Sequence, residues 1–536
     1  SKPLCNINIG LLGHVDSGKT SLAKTLSTSA STASFDKNPQ SMERGITLDL
    51  GFSCFSLPAP ADLLQEGCDA KDLQFTLVDC PGHASLIRTI IGGAHIIDMM
   101  ILVVDVNKGI QTQTAECIVL GQLTTKYLIV VLNKVDTLTD SQREKTLGRV
   151  KRRIQSALQS THFSNAPMIP IAANPANGDP EGIEKLQQTI MDTIKELPKI
   201  KKLGLKQQEA NGDTEVPFRF SIDHCFSVRG QGTVLTGTVL SGEVQLNQTI
   251  EFPDLKIQKK VKSIQMFRKP VSHASEGDRI GICVTQLNSK LIERGVAGSV
   301  GAYLQTNGAI ISSQKIKFFK GSIKSKSRMH ISIGHATVMA TIQVFAIPPG
   351  EPLIGDGASN SFDFGREYIH KEALEPDSDE YPSGSQFLLL SFEKKIICPA
   401  SCMVIGSKLD TDIHANVCRL AFSGTLLETI DASSVEELRK LRIYKPRERC
   451  GVIDRAVDEY RVIGNKLFTK ETNMSLFTGL KIIRTSNNAV GQIESSFGKS
   501  GKFKVYFPEG NQSGTDGQLV LHFKKFMFDP NKKIVQ

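Results

Sequence analysis

A chain of 536 residues is long enough for three or four domains, and its 40% hydrophobic and 22% charged residues are usual for a folded protein. The longest apolar run, around Met99 to Val104, is flanked by Asp98 and Asp105 and is far too short to cross a bilayer, so we expect no membrane association. The net charge is +9, and the eleven cysteines show no paired CxxC spacing, which argues against a zinc site and favours reduced thiols in a cytoplasmic protein; nuclear shuttling stays open.

The first two hundred residues alternate between apolar, strand-like runs and amphipathic, helical stretches. The runs LCNINIGLLG, FTLVDC, MMILVVDV, YLIVVLNKVD and PMIPIAA are typical of buried strands, and SQREKTLGRVKRRIQSAL between two of them is typical of a helix. This order predicts an α/β domain over 1–200 with a mostly parallel, doubly wound sheet. The polar, patternless stretch that follows predicts a linker over 201–216.

From residue 217 onward, short strands alternate with Gly, Pro and Asn turns and helices almost vanish, which predicts small β-barrels. We divide this part into domain II (217–309), domain III (310–435) and a C-terminal domain IV (436–536). Domain IV holds 19 basic and 11 acidic residues, a net charge of +8, and so nearly all of the excess charge. A basic module on an otherwise balanced chain favours a polyanionic partner, although a solvated lysine-rich surface fits as well.

A phosphate-binding motif lies between the first predicted strand and the first predicted helix. GHVDSGKT, over 13–20, matches GxxxxGK[ST], in which glycines let backbone N–H groups surround phosphates at a helix N-terminus. Lys19 would contact the β- and γ-phosphates, and the Thr20 hydroxyl would bind Mg²⁺. The residues expected to bind nucleotide here are Gly13, Asp16, Ser17, Gly18, Lys19, Thr20 and Ser21.

Two further motifs follow predicted strands and specify the base. In DCPGH, Asp79 is placed to hold Mg²⁺ through its water shell, and the Gly82 N–H is placed to contact a γ-phosphate. In NKVD, made by Asn133, Lys134 and Asp136 around a valine, the carboxylate can accept hydrogen bonds from N1–H and the exocyclic amine of guanine. Adenine offers no such pair, so the sequence predicts a site for GTP and GDP.

These motifs resemble those of translation GTPases of the elongation factor Tu superfamily. The resemblance covers GHVDSGKT, ERGIT over 43–47, DCPGH and NKVD, and implies that Thr47 contacts Mg²⁺ and the γ-phosphate in the GTP state only. It also implies that His83 orients the attacking water, which makes His83 our catalytic candidate. The family's fifth motif, usually Ser-Ala-Lys, is matched here by the stretch from Ala172 to Asn174, where a backbone N–H is placed to contact guanine O6.

The second domain, with FSVRGQGTVLTGTV, resembles the barrel of this superfamily that holds the aminoacyl end of tRNA. Within it, Asp223-His224-Cys225-Phe226 and Gly277-Asp278-Arg279, together with the fused C-terminal domain, resemble the selenocysteine-specific elongation factors of animals, and the match includes VIGSKLDTDIHANVCRLAF and SSFGKSGKFKV. The resemblance implies a pocket for the selenocysteinyl group made by Asp223, His224 and Arg279. A cationic pocket would attract a selenolate, which is ionised at neutral pH, more than the neutral hydroxyl of serine. We expect Asp223 to raise the pKa of His224 and to orient its ring. From the residues alone, Asp223 and His224 also fit ordinary strand positions.

The expected function is therefore GTP-dependent delivery of selenocysteinyl-tRNA to the ribosome by a monomeric protein. Domain IV would contact the tRNA, the ribosome, or a protein bound to the selenium-insertion (SECIS) element of the messenger RNA, with basic candidates Arg442, Lys445, Arg447, Arg449, Lys499, Lys502 and Lys504. The aromatic residues within KFKVYF fit an ordinary half-buried strand equally well as a stacking surface. The alternative functions are a GTPase subunit that activates a metabolic enzyme, as in sulfate activation, and an initiator-tRNA carrier.

Overall fold

The structure is a computed structural model. It describes residues 5–27, 51–59, 72–79, 97–198, 200, 216–228, 230, 232–266, 269–292, 294–354, 361–409, 418–498, 500–511, 514–528 and 534–536. None of the helices in these ranges is long and apolar enough to cross a membrane.

The N-terminal domain is an α/β layer structure, as predicted. Its strands are β1 (Cys5–Gly13), β2 (Gly51–Pro58), β3 (Asp72–Asp79), β4 (Met99–Asp105), β5 (Leu128–Asn133) and β6 (Met168–Pro170). Its helices are α1 (Lys19–Leu26), α2 (Thr112–Thr124), α3 (Asp140–Leu158) and α4 (Ile183–Ile194), with a 3₁₀ turn over Val135–Thr137. The strand order is β2-β3-β1-β4-β5-β6, and all neighbours are parallel except β2 and β3.

Strands β4 and β5 are fully buried, because helices cover both faces of the sheet. Their sequences are therefore unbroken apolar runs. The carboxyl ends of β1, β4 and β5 lie side by side, because these strands are neighbours in the parallel sheet. The loops that follow them carry the predicted nucleotide motifs, so the fold brings those motifs to one edge.

Domain II is a closed antiparallel barrel. Its strands are β7 (Arg219–Val228), β8 (Gly232–Ser241), β9 (Glu243–Gln245), β10 (Thr249–Phe252), β11 (Ile257–Met266), β12 (Lys269–Val271), β13 (His273–Ser275), β14 (Arg279–Val284) and β15 (Gly295–Gly298). A 3₁₀ turn lies over Ser289–Leu291. The order β10-β15-β7-β8-β14-β11 closes through pairing of β10 with β11. Closure pairs both edges of these six strands, while β12 pairs only with β11, and β9 pairs with β13 in a separate two-stranded sheet.

Domain III is a second antiparallel barrel. Its strands are β16 (Leu304–Ser312), β17 (Gln314–Lys315), β18 (Ile323–Lys324), β19 (Arg328–Ile333), β20 (Ala336–Ala346), β21 (Glu367–His370), β22 (Ala373–Leu374), β23 (Gln386–Cys398), β24 (Met403–Ser407) and β25 (Leu420–Thr429). It closes through pairing of β19 with β20. The domain border that we predicted at 309–310 falls inside β16, whose partners β23 and β25 belong to domain III.

Domain IV is a third barrel, preceded by the short helix α5 (Val435–Arg439). Its strands are β26 (Arg442–Ala456), β27 (Arg461–Asn465), β28 (Lys481–Arg484), β29 (Val490–Phe497), β30 (Lys502–Tyr506) and β31 (Gln518–Phe526), with a 3₁₀ turn over Met474–Leu476. The barrel closes through pairing of β26 with β31, and β26 also pairs in parallel with β21 of domain III. The predicted fold class, a mostly parallel α/β domain followed by three β-barrel-type domains, is confirmed.

Domain III packs directly on the N-terminal domain, and one hydrophobic cluster includes side chains of both. A buried ion pair crosses this interface: the backbone N–H of Arg419 donates to Glu116 Oε1 at 2.8 Å, and Arg419 Nε lies 3.4 Å from the same atom. The two side chains are 7% and 3% exposed. Glu116 belongs to α2, whose Gln113 accepts a hydrogen bond from the backbone N–H of Val15 in the phosphate loop. One helix therefore contacts both the phosphate loop and domain III.

Replacing Arg419 by Met is expected to lower the free energy of unfolding by about 3 kcal/mol, because it leaves the buried carboxylate of Glu116 without its arginine. Urea unfolding of the full chain measures the loss. The double variant Glu116→Leu/Arg419→Met is expected to recover most of it, since no buried charge remains. As a matched control, Arg328→Met removes the exposed pair with Glu393 and is expected to cost much less. Equal losses in Arg419→Met and Arg328→Met would contradict this account.

Candidate functional site

The phosphate loop joins β1 to α1 and depends on two glycines. A Cβ on Gly13 would lie 2.3 Å from the carbonyl oxygen of Val103, and a Cβ on Gly18 would lie 2.1 Å from Nδ2 of Asn133. Gly18 also has a φ of +93°, and Asp16 between them has a φ of +62°. Positive φ values and the absence of a Cβ let the loop curl tightly against β4 and β5, with backbone N–H groups available to an anion.

Lys19 and Ser17 fit a phosphate ligand. Lys19 Nζ donates to the carbonyl oxygens of Gly13 and His14, both at 3.0 Å, so its ammonium group is held over the loop. Ser17 is fully buried, and its hydroxyl has no hydrogen-bond partner among the described residues. Buried hydroxyls are usually satisfied, and a phosphate oxygen at this loop is a natural acceptor for it. The residues present therefore suit the predicted triphosphate.

The residues predicted to bind Mg²⁺ are only partly described. Thr20 is exposed in the first turn of α1, where its hydroxyl is an oxygen donor of the kind that Mg²⁺ prefers. Asp79 ends β3, but its side chain, and the whole of Thr47, Gly82 and His83, lie outside the described residues. In the part of the chain that is described, no three His, Cys, Asp or Glu side chains are grouped so as to hold a metal ion.

Asn133 connects three loops of the site. It is 2% exposed, its Nδ2 donates to the carbonyl oxygen of Ser17 at 2.9 Å, and its Oδ1 accepts from the backbone N–H of Ala173 at 3.1 Å. The hydroxyl of Thr25 donates to the carbonyl oxygen of Ala173 at 2.8 Å. The amide that we expected to contact nucleotide therefore connects the phosphate loop to the fifth motif.

Lys134 has a partner that the sequence analysis missed. Its Nζ lies 2.8 Å from Oδ2 of Asp105, the last residue of β4, and its backbone has a φ of +67°. Burial would raise the pKa of the Asp105 carboxyl, but hydrogen bonds from Lys134 and Asn107 and the charge of Lys134 outweigh it, and the pKa lies below its ordinary value. The carboxylate is thus held ionised and fixes the lysine. An acid at the end of an apolar strand was the available signal.

The predicted base-recognition residues face solvent at the same edge. Asp136 is exposed in the 3₁₀ turn after β5, and Asn174 is exposed beyond the buried Ala172, which pairs with Glu181. Because Asn133 in the same loop as Asp136 accepts a hydrogen bond from the backbone N–H of Ala173, the NKVD loop and the fifth motif are neighbours. This arrangement suits the two edges of a guanine ring that we assigned to them.

A second candidate site lies in domain II, where Arg279 and Asp223 form an ion pair. Arg279 Nη1 lies 2.5 Å from Asp223 Oδ2 and 3.3 Å from the hydroxyl of Thr238. The strands β7 and β14 flank β8, with Thr238 opposite both Ser221 and Arg279, so the pair reaches across β8. The two side chains are 12% and 23% exposed. The sequence placed these residues 56 positions apart, and the barrel brings them together.

A β-bulge interrupts β7 at the pocket residues. The register shifts between Ile222 and His224, which leaves Asp223 as the extra residue and can re-aim its side chain relative to its neighbours. His224 is half-buried beside it. The carboxylate that we expected to orient His224 pairs with Arg279, and no hydrogen bond between Asp223 and His224 is found among the described residues. Pairing with Arg279, not orientation of the imidazole, is therefore what the structure shows for Asp223.

The turn that precedes Arg279 contacts the N-terminal domain. Gly277 has a φ of +85°, and its carbonyl oxygen accepts from Nδ2 of Asn8 at 3.0 Å and from Nδ2 of Asn6 at 3.3 Å. Asn8 is buried in β1, the strand that ends in the phosphate loop. The candidate pocket and the candidate nucleotide site are therefore connected through one strand and one turn.

Several basic candidates in domain IV are engaged within the protein. Arg442 pairs with Glu367 at 2.7 Å, Lys445 pairs with Glu372 at 3.2 Å, and Lys502 pairs with Asp454 at 3.0 Å. The Arg449 guanidinium packs on the rings of Phe468, Phe477 and Phe523, and the Lys504 ammonium lies over Phe497. Phe503 and Phe507 are buried in the core, as the strand interpretation of KFKVYF predicted. Lys499 lies outside the described residues, and exposed Arg447 has no ion pair among them.

Four protein-family models match the chain. The elongation factor Tu GTP-binding domain matches 5–197, and elongation factor Tu domain 2 matches 232–296. The third domain of eukaryotic selenocysteine-specific elongation factor matches 310–424, and the C-terminal RIFT domain of eEFSec matches 439–525.

Whole proteins match over almost the full length of the chain. The selenocysteine-specific elongation factor of Mus musculus is 45% identical over 99% of both chains, and that of Methanocaldococcus jannaschii is 31% identical over 96% of this chain and 97% of its own. Crystal structures of translation elongation factor SelB from Methanococcus maripaludis, in the apo form and with the GTP analogue GppNHp, each cover 98% of this chain and 100% of theirs. Both have a TM-score of 0.71 at 25% identity.

Proposed function

The chain belongs to the family of selenocysteine-specific elongation factors, and we infer from this membership that it is a translation GTPase that brings selenocysteinyl-tRNA to the ribosome. Delivery is at UGA codons recoded for selenocysteine, and GTP is hydrolysed on delivery. The two alternative functions are not favoured, because the models matched by domains III and IV are those of selenocysteine-specific factors.

The nucleotide site would promote hydrolysis mainly by positioning GTP and the attacking water, since phosphoryl transfer needs alignment and charge neutralisation more than covalent chemistry. Lys19 and the backbone of the phosphate loop hold the β- and γ-phosphates, and Asp136 selects guanine. Thr20, Thr47 and, through water, Asp79 are the residues that would hold Mg²⁺, which would supply positive charge to the phosphates. His83 would hold the attacking water in line with the γ-phosphate.

The ion pair between Asp223 and Arg279 is the observation that carries the cargo assignment. A guanidinium has five N–H donors in a fixed fork, and one nitrogen of Arg279 serves both Asp223 and Thr238. We propose that the selenolate of the cargo accepts hydrogen bonds from the same guanidinium, with His224 beside it. A charged acceptor gains more from this donor than a neutral serine hydroxyl does.

We further propose a monomeric, cytoplasmic protein whose domain IV contacts RNA or a protein bound to the SECIS element. The basic composition of domain IV supports this proposal. GTP binding at the phosphate loop would affect the cargo pocket through β1, because Asn8 on that strand donates a hydrogen bond to the turn before Arg279.

Replacing Arg279 by Ala is expected to abolish discrimination between selenocysteinyl-tRNA and seryl-tRNA. The loss of hydrogen bonds to a charged acceptor, worth about 1.5–3 kcal/mol, corresponds to about 10- to 150-fold weaker binding of the selenocysteinyl form. The measurement is protection of each aminoacyl ester from hydrolysis, on the same tRNA body and with a GTP analogue.

Affinity for GTP is the internal control, because a general loss of fold would weaken nucleotide binding together with ester protection. If the Arg279→Ala variant still discriminates between the two esters, the pocket assignment is wrong. Replacement of the exposed Arg455 in domain IV by Ala is the matched control and is expected to leave the discrimination unchanged.

A further inference from the structure

We propose that the junction of domains III and IV carries a phosphate-binding patch for RNA, formed by Lys326, Lys445, Arg447 and Lys525. This inference rests on the proposed function in that it supplies the RNA partner. It differs from the sequence-based candidates, because two of the four residues were not among them and most of those candidates are engaged elsewhere.

The strand register places three of the cations on one face. Lys445 and Arg447 are alternate residues of β26, so their side chains point to the same side of the sheet about 7 Å apart. Lys525 of β31 lies directly opposite Lys445. Like charges directly opposite one another on a sheet are destabilising, so a bound anion would relieve the repulsion.

Domain III contributes Lys326 through a turn that is fixed beside this face. The backbone N–H of Ser325 donates to the carbonyl oxygen of Glu372 at 2.8 Å, and Lys326 follows with a φ of +68° and an exposed side chain. Oε1 of Glu372 lies 3.2 Å from Nζ of Lys445 and 3.6 Å from Nδ1 of His370. The turn, Glu372 and Lys445 therefore lie together at the junction.

Burial and the positive charges at this junction lower the pKa of His370. Its side chain is 3% exposed, and its Nε2 has no hydrogen-bond partner among the described residues. Burial and the charge of Lys445 lower the pKa of the imidazole; Lys326 and Arg447 act in the same direction, and Glu372 opposes them. Three of the patch cations thus act on one buried ring, which agrees with the geometry.

Charge balance favours an RNA backbone as the occupant. Among the described residues the patch has four cations against one carboxylate, that of Glu372, which is 84% exposed and partly neutralises Lys445. Arg447 and Lys525 are exposed, and long basic side chains of this kind contact phosphates without reading sequence. The two sources of RNA phosphate are the cargo tRNA and ribosomal RNA, which the experiment separates.

The test measures how tightly the full chain and its Arg447→Ala/Lys525→Ala variant bind a tRNA that carries no amino acid, at KCl concentrations between 50 and 200 mM. Loss of two phosphate contacts is expected to reduce the steepness of log affinity against log salt concentration by about 1.4–1.8. The affinity of the variant should therefore fall about tenfold less than that of the unaltered chain when KCl is raised from 50 to 200 mM. The same measurement with purified ribosomes identifies ribosomal RNA as the source if only that slope falls.

Glu372→Gln is the second variant, and it is expected to bind more tightly and with a steeper salt slope, because it removes the acid from the patch. A folding defect cannot produce that gain. The control variant Arg455→Ala/Lys151→Ala removes the same charge from exposed positions elsewhere and is expected to leave the slope unchanged.

Unchanged slopes with both probes, or an equal change in the control variant, would overturn the proposal, as would a patch variant that loses affinity only for an acidic protein partner. Because the tRNA body carries no amino acid, this result is independent of ester protection. A chain that binds the body through the patch but protects no ester would refute the proposed function and leave the patch standing.

Discussion

Replacing Asp136 by Asn is expected to reverse the base preference of the chain from GTP to XTP. The carboxylate is placed to accept two hydrogen bonds from guanine, each worth about 1.5–3 kcal/mol with a charged acceptor, so affinity for GTP should fall by about 10²- to 10⁴-fold. Xanthine has a carbonyl where guanine has its amine, and the Asn amide can donate to it. Equilibrium binding of both nucleotides measures the exchange of preference.

Asp140 supplies the matched control, since it is an exposed carboxylate in the first turn of α3, four residues further on. The Asp140→Asn variant is expected to keep the preference for GTP. If Asp136→Asn binds GTP as tightly as the unaltered chain does, base recognition does not depend on this motif.

Replacing His83 by Ala is expected to slow ribosome-stimulated GTP hydrolysis by about 10³-fold, which is typical for loss of a group that positions or activates a nucleophile. Affinity for GTP should stay within a few-fold, because the phosphate loop and Asp136 hold the nucleotide. Single-turnover hydrolysis on ribosomes separates the chemical step from nucleotide binding.

His273 lies exposed on β13 of domain II and is the control for this prediction. The His273→Ala variant is expected to hydrolyse GTP at the normal rate. A His83→Ala variant with an unchanged rate would show that another group orients the water.

Local patterns in the sequence were sufficient for the fold and the nucleotide motifs. The unbroken apolar runs of β4 and β5 predicted a parallel sheet covered on both faces, and GHVDSGKT between a strand and a helix predicted the phosphate loop. Both signals lie within a few residues, so no knowledge of distant contacts was needed.

Contacts between distant residues were not predictable in the same way. The pair of Arg419 with Glu116 joins residues 303 positions apart, and a buried charge leaves no local pattern. Arg442 and Lys445 looked like free cations in a basic stretch, but the parallel pairing of β26 with β21 brings them to acids of domain III. Only the closed barrels reveal which charges are already paired.

Asn133 shows a different kind of limit. Its place in NKVD predicts a contact with the base, but the sequence does not separate contact with a ligand from support of the loops. In the structure, the amide nitrogen and oxygen of Asn133 both form hydrogen bonds with backbone groups, one in the phosphate loop and one in the fifth motif. Side-chain direction, which depends on tertiary packing, decides between those roles.

The central claim, that this GTPase carries selenocysteinyl-tRNA, is tested most directly by protection of aminoacyl esters from hydrolysis. Selenocysteinyl-tRNA and seryl-tRNA on the same tRNA body are compared, each with a GTP analogue and with GDP. We predict that the selenocysteinyl ester alone is protected, and with the GTP analogue only. Equal protection of both esters would mean that the chain recognises tRNA shape without the pocket, and protection of neither would contradict the carrier function.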